Sequence, residues 1–419
     1  MKTLIIGGGL SGLALAERLT RLGQDFHLVE ARDRFGGRIE TQHLGDAYFD
    51  MGPAWFWPGQ PRVAEVVERF GLHRFDQYST GDLVYEDEFG HVQRGRGFAS
   101  MEGSWRIEGG FAALTTALEK CIPTSRKQLN AKTIGLNLRN GICTATLADG
   151  SVIEGDQIVL AMPPRIASNI EFSPTLPERT SSELSAVPTW MAGQAKVVAV
   201  FDSPFWRDLG LSGDAMSRMG PMAEIHDASP SSGGPYAMFG FVGVPPQARL
   251  DQHALRQAAV AQLIRLFGTG AAKPEALYVK DWALDPLTST PLDCRPQHSH
   301  PAYGLPEALR GLWEDRLVFA TDTSGRVYTV LPDGESELVH QALGKNLSGL
   351  WSAGDQLVLT SLRGGAAFTL ESAPAREGIY RTAPRDAGGI AQWGRLEAKS
   401  DGEIRFRTRS GAVARPDAA

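Results

Sequence analysis

Leu4-Ile5-Ile6-Gly7-Gly8-Gly9-Leu10-Ser11-Gly12, continuing to Phe26-His27-Leu28-Val29-Glu30, is the stretch that decides the fold. Leu4-Ile5-Ile6 reads as a short buried parallel strand. It leads into a G-x-G-x-x-G turn, after which Leu15, Leu19 and Leu22 recur at helical spacing and Gly23 supplies a stop. Phe26 to Val29 form a second strand that ends on an acid, Glu30. The glycines do different things. Gly7 permits the tight turn, Gly9 lets backbone approach a pyrophosphate, and Gly12 lets helix and strand pack closely. The N–H groups of Leu10 and Ser11 stand at the helix tip, where a partial positive charge favours phosphate. Glu30 can accept hydrogen bonds from ribose hydroxyls. A lone G-x-G-x-x-G is weak evidence; strand, glycines, helix, strand and terminal acid within one short unit are strong evidence.

Glu30 suits either NAD or FAD, and the residues beyond it discriminate. Arg32 and the turn Gly36-Gly37-Arg38 look like the R-x-x-x-G-G-R element of FAD enzymes, whose backbone amides and arginine meet the flavin side of the cofactor. Asp50-Met51-Gly52-Pro53-Ala54-Trp55 is similar to a D-x-G segment lying against the isoalloxazine ring. Further along, Gln157-Ile158-Val159-Leu160-Ala161-Met162 reads as a buried strand closed by Pro163 and Pro164. Gly193-Gln194-Ala195-Lys196 precedes Phe205-Trp206-Arg207, and Asp281-Trp282 follows later.

Together these segments resemble the flavin-containing amine oxidase family over residues 1 to about 320. The resemblance implies an α/β fold: a Rossmann-like FAD-binding domain of the GR2 type with an inserted α+β substrate domain. The FAD domain is expected at 1–75 and 106–188, returning at 301–320, and the substrate domain at 76–105 and 189–300. Gly52, Pro53, Ala54, Trp55, Met162 and Trp282 would then line the cofactor. Lys196 would hold a water against flavin N5. The implied reaction takes a hydride from the C–N carbon of a small amine, with oxygen as the final acceptor. No cysteine sits where covalent flavin attachment is expected, so the FAD should be non-covalent. Desaturation or isomerisation of an apolar substrate is the alternative chemistry, with Trp55, Phe56 and Trp57 suited to an apolar pocket.

After Ala320 the pattern changes. Thr321-Asp322-Thr323-Ser324-Gly325-Arg326-Val327-Tyr328 stands where the family carries its last flavin-binding turn and helix. Leu317-Val318-Phe319 and Tyr328-Thr329-Val330 correspond at a constant offset to Leu357-Val358-Leu359 and Phe368-Thr369-Leu370. Together with Trp393-Gly394-Arg395, that regularity predicts a β-rich, propeller-like tail over 321–419. A junction near 317–321 would make the chain a chimera, inactive if the missing segment is essential.

Bulk properties agree with a globular enzyme. The 419 residues are 42% hydrophobic and 21% charged, enough for two or three domains. A net charge of −6 argues against nucleic acid as a partner. Cys121, Cys143 and Cys294 show no metal or disulfide spacing, which suits a reducing compartment and a cytoplasmic location. The N-terminal apolar run is broken at once by glycines, so no leader peptide is expected, and no run approaches the length of a membrane span.

Overall fold

The computed structural model describes residues 1–97, 99–295 and 306–319, and beyond them the backbone of five strands between 326 and 370. The chain divides into two units, Met1–Gln341 and Ala342–Ala419. The first runs through β1 (Lys2–Ile6), α1 (Leu10–Arg21), β2 (Asp25–Val29), β3 (Ala47–Asp50) and β4 (Gln157–Leu160). It continues with β5 (Ala195–Phe201), β6 (Leu211–Ser217), β7 (Met222–Asp227), β8 (Tyr236–Val242), α2 (Gln252–Phe267), β9 (Ala276–Asp281) and β10 (Leu317–Phe319).

Because β1 is apolar on both faces, it can only sit in the middle of a covered sheet. It pairs in parallel with β2 on one side and β4 on the other, and β10 lies parallel outside β4. Strand Lys127–Gln128 completes five, in the order β10, β4, β1, β2, Lys127–Gln128. Ile5 points into a core with Leu13, Ala16 and Leu19 of α1 and with Phe26 and Leu28. Leu4 and Ile6 point the other way, onto Leu136, Ala145 and Leu147 of a four-stranded sheet.

A second, seven-stranded sheet runs β9, β5, β8, β7, β6, then Asp82–Glu86 and Val92–Gly95. One face, with Val197, Ala199, Phe201, Ile225 and Met238, packs on Leu255, Ala259, Leu263, Leu266 and Phe267 of α2. Asp251 caps α2, accepting from the backbone N–H of His253 and Ala254 at 3.0 Å each. Val198, Val200 and Phe239 on the opposite face meet Phe49 and Met51. It is this contact that brings the seven-stranded sheet against the segment following β3.

The strand Arg326–Val330 pairs antiparallel with Ser336–Gln341. In the second unit Leu347–Ala353, Gln356–Ser361 and Ala367–Leu370 form an antiparallel meander. The forty-residue correspondence therefore does not survive in the pairing of its first strands. Leu317–Phe319 lies parallel to β4, whereas residues 357–359 lie in the antiparallel meander. Residues 320 and 321 of the expected junction at 317–321, Gly365 and residues 371–419 with Trp393-Gly394-Arg395 lie outside the described residues.

An ion pair buried on both sides fixes the end of β9. The Arg249 guanidinium donates to both Asp281 oxygens at 2.7 and 2.8 Å, and to the Val244 and Gly193 carbonyls at 2.6 and 2.7 Å. Arg249→Met should leave a buried carboxylate without its cation, lowering the unfolding free energy by about 3–5 kcal/mol. Denaturant titration reads this directly, and a loss under about 1 kcal/mol would contradict the pair's role.

Candidate functional site

The loop between β1 and α1 shows three different uses of glycine. Gly7 has φ +111°, and a Cβ there would stand 2.5 Å from the Ala161 carbonyl oxygen. A Cβ on Gly12 would overlap the Gly7 carbonyl oxygen, so α1 could not reach the sheet. A Cβ on Gly9, by contrast, would meet nothing within 4 Å. Gly9 is also the N-cap of α1, with no side-chain cap and no acid in the first turn. Leu10, Ser11 and Gly12 thus begin a helix whose positive end faces free space, the requirement for receiving a diphosphate. Met162, just past β4, adjoins Gly7.

Glu30 is buried at the end of β2, and its carboxylate accepts from Gly8 N at 2.7 Å and Arg32 N at 2.9 Å. The acid therefore fixes the loop in the protein itself, before any ribose arrives. The Gly36-Gly37-Arg38 turn lies directly on this loop: Gly36 N donates to Gly8 O at 2.9 Å, and a Cβ on Gly37 would come within 3.2 Å of Gly9 Cα. Arg34, which no motif singles out, braces the turn by donating to the Ile39 and Gly37 carbonyls at 3.0 Å and to Glu40 at 2.7 Å.

The Arg32 guanidinium forms a bidentate pair with Asp285 at 2.9 and 3.0 Å, with Thr288 Oγ1 at 2.9 Å as a third acceptor, and its backbone N–H belongs to the Glu30 contact. Nothing near Arg32 in sequence signals this, because Asp285 lies 253 residues away. Arg38 donates to the Trp190 carbonyl at 3.0 Å.

The segment after β3 is where distant residues converge. Lys196 Nζ donates to the Asp50 and Gly52 carbonyls at 3.1 and 2.7 Å, and Trp282 Nε1 donates to Met51 O at 3.0 Å. Gly52 is required here, since a Cβ would overlap the Arg38 carbonyl oxygen. Pro53 is exposed and Ala54 buried, while Trp55 Nε1 donates to Gln77 Oε1 at 2.8 Å. The Lys196 ammonium lies 4.3 Å from the Phe239 ring centroid, with Phe241 and Trp55 at 5.5 and 5.8 Å. Burial pulls the Lys196 pKa down to about 7, opposed by the Asp50 carboxylate and aided by the Arg106 cation. Burial likewise pushes Asp50 up, against the Thr41 hydroxyl, Arg106 and Lys196.

A profile of flavin containing amine oxidoreductases matches residues 10–97 and 81–331 of the chain. The chain belongs to that family. This flavin amine oxidoreductase is 23% identical to a probable flavin-containing monoamine oxidase A of Dictyostelium discoideum, over 67% of the chain and 83% of that relative. It is 21% identical to a putrescine oxidase of Kocuria rosea, over 68% of the chain and 82% of the relative. Its fold is similar to that of cyclohexylamine oxidase from Brevibacterium oxydans, with TM-score 0.65 and 18% identity over 76% of this chain and 92% of that one. The enzyme is an FAD-dependent oxidoreductase. The match extends to residue 331, beyond the point near 320 where the sequence pattern changes. Among the described residues no helix is long and apolar enough to cross a membrane, and no group of three His, Cys, Asp or Glu is arranged to hold a metal.

Loop and lysine can be probed separately. Gly12→Ala should destabilise the cofactor-free enzyme by about 1–3 kcal/mol through overpacking. Gly9→Ala should leave that stability within about 0.5 kcal/mol yet weaken FAD binding roughly tenfold or more. Melting curves with and without FAD read both effects, and equal melting of the two variants would refute the assignment. For Lys196, a folded pKa near 7 against an ordinary value of 10.5 means that the unfolded chain holds the extra proton between these limits. Wild-type stability should therefore rise with pH across that window. In Lys196→Met the rise should be smaller; identical pH slopes would contradict a desolvated lysine.

Proposed function

We propose that this enzyme oxidises the C–N bond of a small amine, with oxygen as electron acceptor and FAD bound non-covalently. Gly7, Gly9, Leu10, Ser11 and Gly12 would hold the diphosphate, and Glu30 the adenosine ribose. The Gly36-Gly37-Arg38 turn, residues 52–55, Met162 and Trp282 would line the flavin end. Arg32 would contribute through its backbone. Bound FAD supplies the hydride acceptor at N5 and the route by which electrons reach oxygen. Segments 1–75 and 106–188 with β10 would carry the cofactor, and 76–105 and 189–300 the substrate side. The cytoplasm is the proposed location, in keeping with three free cysteines.

What supports this reading is the convergence of Lys196 and Trp282 on the backbone carbonyls of residues 50–52. A lysine from one sheet and an indole beside it hold the segment expected to face the flavin. With a pKa near neutrality, Lys196 can carry its proton or release it at working pH. As a cation in a water-poor site it would stabilise developing negative charge beside it more strongly than a solvated lysine could. Polar groups on the same sheet face speak against the apolar-substrate alternative.

Addition of a primary amine to the enzyme should bleach the flavin bands and release hydrogen peroxide in air. Bleaching without peroxide would replace oxidase by dehydrogenase chemistry, and neither signal would refute amine oxidation. Lys196→Met should slow the return of bleached flavin by oxygen about a hundredfold, the size typical of losing one preorganised electrostatic group. Stopped-flow absorbance reads that rate; an unchanged rate removes the lysine from the reaction.

A further inference from the structure

The end of β9 works in two directions. Side chains alternate along a strand, so Asp281 goes one way, onto the buried Arg249, and Lys280 the other. In the register of β9 and β5, Lys280 stands directly opposite Lys196, and opposed residues share a face. The two lysines have different surroundings. Lys196 donates to backbone carbonyls, whereas Lys280 lies among carboxylates. Its ammonium is also 4.4 Å from the ring centroid of Trp282, the indole whose N–H holds the Met51 carbonyl.

Five partly buried charged side chains follow one another here, alternating in sign. Arg34 Nη2 lies 2.7 Å from Glu40 Oε2, and Lys280 Nζ lies 3.0 Å from that same oxygen. Lys280 Nζ is 3.4 Å from Asp285 Oδ2, and Arg32 grips both Asp285 oxygens. Exposure of these side chains runs from 9% for Asp285 to 32% for Arg34. Both ends of the chain belong to the loop that follows β2. At one end Arg32 N donates to Glu30; at the other Arg34 donates to the Gly37 and Ile39 carbonyls. Its middle, Lys280 and Asp285, comes from β9 and the turn after it.

Lys280 is the member that joins the halves. Take it away, and two separate pairs remain: Arg32 with Asp285, and Arg34 with Glu40. The Gly36-Gly37 end of the loop, which rests on Gly8 and Gly9, would then keep no ion pair with β9 among the described residues. Two carboxylates sharing a site also repel each other, and the ammonium between them removes that repulsion. Burial opposes the charge on Asp285, but Arg32, the Leu287 N–H and Lys280 outweigh it and hold the carboxyl below its usual range. Being partly buried, these contacts are screened less by salt than pairs on the open surface. One lysine therefore touches the loop under the diphosphate through Glu40 and the segment expected against the flavin through Trp282.

We infer that Lys280 is a positioning residue for the cofactor, fastening the 30–40 loop to β9 so that the diphosphate cradle and the 50–52 segment are held in one fixed relation. This rests on the placing of FAD against residues 7–12, 36–38 and 50–52, and is independent of which substrate is oxidised. Loops already held in their binding geometry lose less freedom when a ligand arrives, which raises affinity. FAD is long enough to need both supports at once, so a slack joint between them weakens its binding without removing any group that touches it.

The test titrates the full cofactor-free chain with FAD, read by flavin fluorescence, beside denaturant unfolding of the same samples without FAD. Lys280→Met, which keeps an unbranched chain and removes the charge, should weaken FAD binding about tenfold, the size of one lost charge-assisted contact. Lys280→Arg, which keeps the cation, should recover most of that loss. Glu40→Gln should weaken FAD in the same direction. The Lys280→Met/Glu40→Gln double variant should lose less than the product of the two separate losses, because both remove one shared contact. Unchanged FAD affinity in Lys280→Met, with or without a lowered unfolding free energy, overturns the inference; so do an arginine no better than methionine and losses that simply multiply. Gly9→Ala separates this from failure of the cradle itself. If wild type does not bind FAD, or Gly9→Ala binds it equally well, the cradle reading falls and the inference with it.

Discussion

Backbone packed directly on backbone is the constraint that the remaining structure is built around. Gly12 seats α1 against the Gly7 carbonyl, Gly37 rests on Gly9, and Gly52 lies against the Arg38 carbonyl. Three loops from residues 7–12, 36–38 and 50–52 are thereby stacked without intervening side chains. One extra carbon at Gly12 or Gly52 would part the layers. The open side of Gly9 is the exception within the stack, and it is the position at which a phosphate needs to come close.

Around that stack the protein uses buried charge sparingly and always in company. Glu30 takes two backbone N–H groups, Arg32 takes Asp285, and Arg249 takes Asp281. Arg106, also buried, donates to the Ser229 and Ala228 carbonyls at 2.7 and 3.0 Å. Lys196 is likewise held by neutral carbonyls and aromatic faces, and burial moves its pKa far. Asp50 bridges the two halves of this arrangement, accepting from Thr41 Oγ1 at 2.6 Å and Phe111 N at 2.9 Å while its own carbonyl receives Lys196. The segment 50–52 is therefore held by a side chain from β5, by Trp282 just past β9, and by its own carboxylate.

The glycine loop was legible in the sequence because backbone geometry leaves no substitute for glycine at Gly7 and Gly12. Lys196 and Trp282 could be picked out from their flanking residues, but their meeting point could not: it depends on β9 lying beside β5 and on a sheet docking onto residues 49–51. The pairing of Asp285 with Arg32 and of Arg106 with the Ser229 and Ala228 carbonyls gave no local signal, because the partners are brought near only by tertiary packing. The aspartate that holds the Arg32 guanidinium was hidden for the same reason, lying 253 residues away. The two tail stretches that match at a forty-residue spacing share amphipathic pattern without sharing strand pairing, which shows how little short alternation says about what a strand pairs with.

If the stacked glycine loops form a working dinucleotide cradle, the purified protein must hold FAD on its own. A visible absorption spectrum, taken after incubation with FAD and removal of the excess, reads this without any assumption about substrate. The expected result is a yellow protein with perturbed flavin bands, retaining about one FAD per chain. A folded protein that emerges colourless, with all FAD in the wash, would contradict it.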